Sequence, residues 1–410
     1  MSGSAYNYVT LPSGMRMVHR LIPGAHVDYL GVAVNAGSRD EAPGRHGLAH
    51  FVEHTIFKGT GRRRSFHIIN RMEGVGGELN AYTTKEETMV YSVFPTGNLD
   101  RAAELIADLV TDSQFPKAEL DREREVVADE IESYLDTPSE TIYDDFDDLI
   151  FAGSPLGHNI LGTRGDLAAF TSEICRDYLD RFYNPSNMIF FYQGGESAAK
   201  VERLAARRFA VLSQRSGYRA DRKRPDEVSI FHEVRNIDSH QSHNVTGARI
   251  GGMYSPDRHD MALVTNILGG PGMNSRLNVS LRERRGLVYS VEASTALYTD
   301  CGLLTIYYGC DPTDRNRCQR LVNDELNRIS NDRMTQRQLD SAKKQYLGQL
   351  AVASDNREQM ALSAARSMLY HDRVPEAAEI KAAIDAITPE SLRATAEKIA
   401  PAVTSTLCFT

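Results

Sequence analysis

The chain has 410 residues, 41% of them hydrophobic, and carries a formal net charge of −8 at pH 7. That length can bury a full core and favours two or more domains, while the acidic balance argues against nucleic acid as a partner. No apolar run reaches the about 18 residues of a membrane span, and the five cysteines, odd in number and without C-x-x-C spacing, read as reduced thiols of a cytoplasmic protein rather than as disulfides or ligands.

The amino-terminal stretch has neither an apolar signal core nor an Arg-rich leader, which also points to the cytoplasm. Alternating apolar residues around a Pro-Ser-Gly turn predict a hairpin over residues 8–11 and 15–21, then a strand over 29–34. A helix follows, and it holds the most informative run of the chain, His50-Phe51-Val52-Glu53-His54. On a helix, positions i and i+4 share a face, so His50 and His54 can hold one Zn2+ at about 2.0–2.1 Å each. Glu53, on the same side, can reach a water in the metal's open position and take its proton. The order inverts the commoner H-E-x-x-H pattern, and i, i+4 geometry works in either direction. The plain alternative is an exposed helix face that happens to carry two His and a Glu. The apolar neighbours Leu48, Ala49, Phe51 and Val52 count against it, because buried imidazoles need partners and a metal is a natural one.

Strands over 79–83 and 88–94 come next, then helices over 98–114 and 117–135. A catalytic zinc site uses three protein ligands and an open position. The helix over 117–135 is acidic enough to supply the third, and Glu123 and Glu130, two turns apart, share a face. Spacing alone does not choose among Glu123, Glu125, Asp129, Glu130 and Glu132, and most acids of such a helix are solvated members of intrahelical pairs. Further helices reach about residue 183, followed by a strand over 187–192 and a helix over 198–209.

Residues 213–225 are polar, charged and almost free of large aliphatics. They read as a linker between a first domain of residues 1–212 and a second of residues 226–410. The second half repeats the theme: strands over 228–231 and 244–253, a helix over 260–268, strands over 288–294 and 303–309, long helices over 313–329, 335–353 and 356–369, and a strand over 404–409. The helix at 260 stands where the zinc helix stands in the first half but carries no H-x-x-E-H, so one Zn2+ per chain is expected. Runs of strands followed by runs of helices indicate two similar α+β domains.

The run HGLAHFVEHTIFKGT, residues 46–60, resembles the zinc helix of the pitrilysin/insulinase family of metallopeptidases. Its ending is most similar to the β-subunits of mitochondrial processing peptidase and their bacterial relatives. The resemblance implies a third ligand at Glu130, which stands 76 residues after His54 and before Ile131, with Glu123 supporting the site from outside the ligand set and Glu53 as general base. Gly76-Gly77-Glu78-Leu79-Asn80-Ala81-Tyr82-Thr83 resembles the family's edge strand, where substrate pairs through its main chain near Asn80 and Ala81; a plain hairpin is the bland reading. Arg282 and Tyr289, at the family's spacing, resemble an Arg and Tyr pair that comes from the second domain and suits a developing oxyanion. Phe57 fits an apolar subsite or, equally, packing behind the zinc helix.

The resemblance spans the whole chain and implies a clamshell of two domains around an enclosed chamber. It implies a zinc metalloendopeptidase acting on peptides or unfolded protein segments, and a homodimer. Two rival expectations are a processing peptidase active only with a different partner chain and a non-catalytic assembly subunit. The complete set of His50, Glu53, His54 and Glu130 speaks against the second.

Overall fold

The computed structural model of the chain describes residues 5–215, 217–237 and 239–410; residues 1–4 of the amino terminus and Ser216 of the expected linker lie outside the described residues. Two compact α+β units emerge, Met1–Glu132 with His158–Arg222 and Ser354–Glu376, and Ser133–Gly157 with Lys223–Ala353 and Ala377–Thr410.

The first unit holds six strands: β1 Asn7–Thr10, β2 Arg16–Leu21, β3 Val27–Val34, β4 Glu78–Thr83, β5 Thr88–Pro95 and β6 Met188–Gly194. They pair in the order β1-β2-β6-β3-β5-β4, antiparallel except for β2 with β6. The second unit holds β7 His232–Arg235, β8 Ser242–Ile250, β9 Val288–Leu297, β10 Gly302–Cys310 and β11 Ser405–Phe409. Their order is β7-β11-β8-β10-β9, with only β7 and β11 parallel. Set β2-β6-β3-β5-β4 against β7-β11-β8-β10-β9 and every pairing agrees in sequence order and direction, so the duplication expected from the sequence is present. The strand expected over 228–231 lies slightly later, as β7, where its main chain finds β11.

The helices are α1 Leu48–Thr55, α2 Ser65–Glu73, α3 Leu99–Asp112, α4 Lys117–Leu135, α5 Pro138–Ile150, α6 Arg164–Ala169, α7 Ser172–Phe182, α8 Ala198–Arg208, α9 Arg258–Gly269, α10 Arg315–Asn331, α11 Gln336–Ala353, α12 Arg357–His371, α13 Ala377–Asp385 and α14 Pro389–Ala396. Helix α1 follows β3 as α9 follows β8, which places the metal motif and its counterpart without a motif at equivalent points. Among the described residues no helix is long and apolar enough to cross a membrane.

The central strands are buried on both faces and read as nearly continuous apolar runs, as such strands must. With a side-chain period of two, Leu30, Val32, Val34, Phe190 and Tyr192 face one core with Phe51 and Val52 of α1. Ala33, Met89, Ile189 and Phe191 face another, closed by Ala361, Leu362, Ala365, Met368 and Leu369 of α12. The second sheet does likewise. Ala248, Ile250, Leu304 and Ile306 pack with Met261, Val264 and Leu268 of α9, and Val245, Leu303, Leu407 and Phe409 pack with Ile142, Phe146 and Ile150 of α5.

This corrects the boundaries expected at 1–212 and 226–410. A sheet has two faces to cover, and here the second face of each is covered by a helix from the other half of the sequence. Nor is the stretch over 213–225 a free tether. Arg215 donates to the carbonyls of Tyr183, Thr111 and Val110 at 2.8, 2.9 and 3.1 Å. Arg222 meets both oxygens of Asp40 at 2.9 and 2.7 Å, with side chains only 8% and 1% exposed. The first unit therefore extends through Arg222.

Candidate metal centre

Helix α1 has only eight residues. It stays in place because Leu48, Ala49, Phe51 and Val52 are buried in the first core, and that anchoring leaves His50, Glu53 and His54 on the side that meets α4. Helix α4 turns Glu123 and Glu130 toward them, as their two-turn spacing requires. All five residues belong to the first unit.

The Nε2 atom of His50 lies 3.8 Å from Glu130 Oε1, and Nε2 of His54 lies 3.5 Å from Glu130 Oε2. The three residues offer donor atoms that all lie within 4.8 Å of one another. Two donors on one tetrahedral zinc with bonds of about 2.05 Å stand about 3.3–3.4 Å apart, so the three residues fit the ion with small adjustments. On the outer side, His54 Nδ1 lies 3.1 Å from Glu123 Oε1, and Lys58 Nζ lies 2.7 Å from Glu123 Oε2. A proton on Nδ1 leaves the Nε2 lone pair of His54 for the metal. His50 has no such help: its Nδ1 is buried without a hydrogen-bond partner among the described residues.

The electrostatics differ between the two imidazoles. Burial, then the neighbouring His54, pushes the His50 imidazole down to about 3, so it is neutral and free to donate its lone pair at physiological pH. For His54, burial pulls downward, but the Glu123 hydrogen bond and the charges of Glu130 and Glu53 outweigh it and raise the ring. Burial pulls Glu123 upward, yet the hydrogen bonds from His54 and Lys58 prevail and hold it below the usual carboxylate value. Glu53 is raised, chiefly by burial.

Helix α1 also packs against β4, the outermost strand of its sheet, which pairs with β5 through Asn80↔Tyr91 and Ala81↔Val90. The other edge of β4 has no strand partner among the described residues. Phe57 lies just beyond α1, partly buried against the first core. Arg282 and Tyr289 lie in the second unit. Arg282 sits on a helical turn over Asn278–Glu283 with Glu283 at 3.9 Å. Tyr289, on β9 at the edge of the second sheet, is 87% exposed. Sequence reasoning missed Lys58, and it missed Arg39-Asp40-Glu41, whose side chains are 2%, 1% and 0% exposed. The available signal was three charges in a row between an apolar strand and an apolar helix.

Residues 16–164 match the family described as insulinase, peptidase family M16, and residues 169–346 match the one described as the peptidase M16 inactive domain. The second match lies wholly after His50, His54 and Glu130. A Streptomyces coelicolor protein named as an uncharacterized zinc protease is 30% identical over 95% of this chain and 86% of its own length. A Mycobacterium tuberculosis protein, also named as an uncharacterized zinc protease, is 31% identical over 95% and 90%. Among solved structures, a Helicobacter pylori protease superposes with a TM-score of 0.91 at 20% identity, covering 99% of both chains. A Pseudomonas fluorescens structure described as a peptidase M16 inactive domain gives 0.91 at 18% identity over 98% and 97%.

Proposed function

Because the chain belongs to the insulinase family, peptidase family M16, we propose that it is a zinc-dependent endopeptidase acting on peptides and extended, unfolded protein segments. The convergence of His50, His54 and Glu130 on one point, with Glu53 on the same helix, carries this reading. His50, His54 and Glu130 would hold the ion, which when bound supplies a Lewis acid for the scissile carbonyl and lowers the pKa of the attacking water.

The remaining work falls to the chain's own groups. Glu53 takes the water's proton and returns it to the leaving amine. Glu123 holds the His54 tautomer and is itself held by Lys58. The open edge of β4 near Asn80 and Ala81 receives the peptide as an added strand. Main-chain pairing of that kind is largely blind to side chains, so specificity is broad. Arg282 and Tyr289 donate to the developing oxyanion, a role that rests on the family resemblance. One zinc per chain and a homodimer that needs no different partner chain complete the proposal.

The test is a digest of a mixed peptide library by the purified chain, read by mass spectrometry with chelator, without it, and after zinc is restored. Cleavage that chelator stops and zinc restores is expected. A folded, zinc-loaded chain that cuts nothing overturns the proposal.

A further inference from the structure

A helix of two turns is marginal by itself, and α1 lacks the usual means of securing its start. Its N-cap is Gly47, at φ +89, with no side chain to accept from the first N–H groups. Ser, Thr, Asp or Asn would ordinarily serve there, but a Cβ at Gly47 would lie 2.4 Å from the carbonyl oxygen of Leu161. The neighbouring loop is pressed on in return, since a Cβ at Gly162 would lie 2.0 Å from the carbonyl oxygen of His46. His50 stands in this unsupported first turn, and among the described residues its Nδ1 has no hydrogen-bond partner to aim the ring. The direction of this ligand is thus set by the backbone of the turn.

The missing cap comes from upstream. Glu41 Oε1 accepts from Ala49 N at 2.7 Å and Oε2 from Gly47 N at 2.9 Å. Oε2 also lies 3.0 Å from Nε2 of His158. The Glu41 side chain is fully buried. Its neighbours are pinned as well: Asp40 to Arg222 at 2.7 Å, Arg39 to Glu86 at 2.5 Å, and the carbonyl of His158 to Lys85 Nζ at 2.5 Å. We propose that Glu41, clamped by His158, is a positioning residue that replaces the N-cap of α1 and thereby aims His50 at the metal. Glu41, His46 and His158 also bring possible ligand atoms within 4.8 Å of one another. The carboxyl already meets two backbone N–H groups and the His158 ring, however, so the cluster is a clamp and not a second metal site.

This inference rests on the peptidase reading, and the experiment separates the two. Zn2+ affinity by chelator competition, the visible spectrum of the Co2+-substituted protein, and the melting temperature without metal are measured on wild type, Glu41→Ala and Glu41→Gln. Glu41→Ala is expected to bind Zn2+ at least about 10-fold more weakly, as when an orienting partner is lost, and to shift the Co2+ bands. Glu41→Gln, which keeps one acceptor, should recover part of both. A lower melting temperature with wild-type Zn2+ affinity and an unshifted Co2+ spectrum reduces Glu41 to a stability residue and overturns the proposal. A second equivalent of Zn2+ in wild type that disappears in Glu41→Ala overturns it in favour of a metal site. Should Glu41→Ala fail to fold, Glu41→Gln carries the test, and wild-type affinity and spectrum in that variant overturn it. A wild-type chain that takes up no Zn2+ sinks the peptidase reading together with this one.

Discussion

Glu123 holds His54 by the nitrogen that faces away from Glu130: Oε1 lies 3.1 Å from Nδ1, while Oε2 meets Lys58 Nζ at 2.7 Å. The proposed ligand His54 is thus oriented by a residue outside the proposed ligand set. Glu123→Gln should lower Zn2+ affinity by about 10–100-fold with the fold intact, and Lys58→Met by less. Chelator competition measures both. An unchanged affinity in Glu123→Gln would show that the α1 backbone alone orients His54.

Glu53 and Glu130 should separate cleanly. Glu53→Gln removes the base and no ligand, so the zinc content should stay near one per chain while turnover falls by at least about 10²-fold. Glu130→Gln replaces a carboxylate by a weaker amide donor and should lose zinc. Elemental analysis beside single-turnover assays decides. Loss of zinc from Glu53→Gln, with retention in Glu130→Gln, would reverse the assignment.

Tyr289 is 87% exposed, so removing its hydroxyl disturbs little packing. Tyr289→Phe should keep zinc content and melting temperature while lowering turnover by about 10–10³-fold, the upper end being the loss of an oxyanion donor. Wild-type turnover in the folded variant would confine the chemistry to the first unit.

Glu41 makes stability depend on pH in a stated direction. Burial raises its carboxyl from 4.5 to about 8, with the Ala49 and Gly47 N–H groups, then His46 and Lys85, pulling it back. An acid whose folded value is raised binds its proton better in the folded state, so its contribution is full below about 4.5 and is lost as pH rises through about 8. The melting-temperature advantage of wild type over Glu41→Gln should therefore shrink from pH 5 to pH 8.5. Parallel curves would mean that Glu41 does not titrate in that window.

Arg222 is tied to Asp40 in a nearly solvent-free pair. Arg222→Met strands the Asp40 carboxylate and should cost about 3–5 kcal/mol, read by urea denaturation. A loss within about 0.5 kcal/mol, usual for surface substitutions, would show that the end of the linker is not held.

The sequence by itself determined the local part of the site. A five-residue helical motif carries its own geometry, so His50, Glu53 and His54 were legible from spacing, as were the duplicated order of strands and helices and the absence of the motif from the second copy. Spacing along one helix could not choose Glu130 over its acidic neighbours, because which acid meets His50 and His54 depends on how α4 crosses α1; the family resemblance supplied that choice, and in the fold Glu130 lies 3.8 Å from His50 and 3.5 Å from His54. Only the tertiary structure decided the remainder. A sheet has a second face that local periodicity does not assign, and α5 and α12 fill it from the opposite halves of the chain. Residues 39–41 look like an ordinary solvated run until Arg222, Glu86 and His158, distant in sequence, close around them. Glu41 then meets the bare N–H groups at the start of α1, a relationship made by burial and hydrogen-bond need rather than by any spacing along the chain.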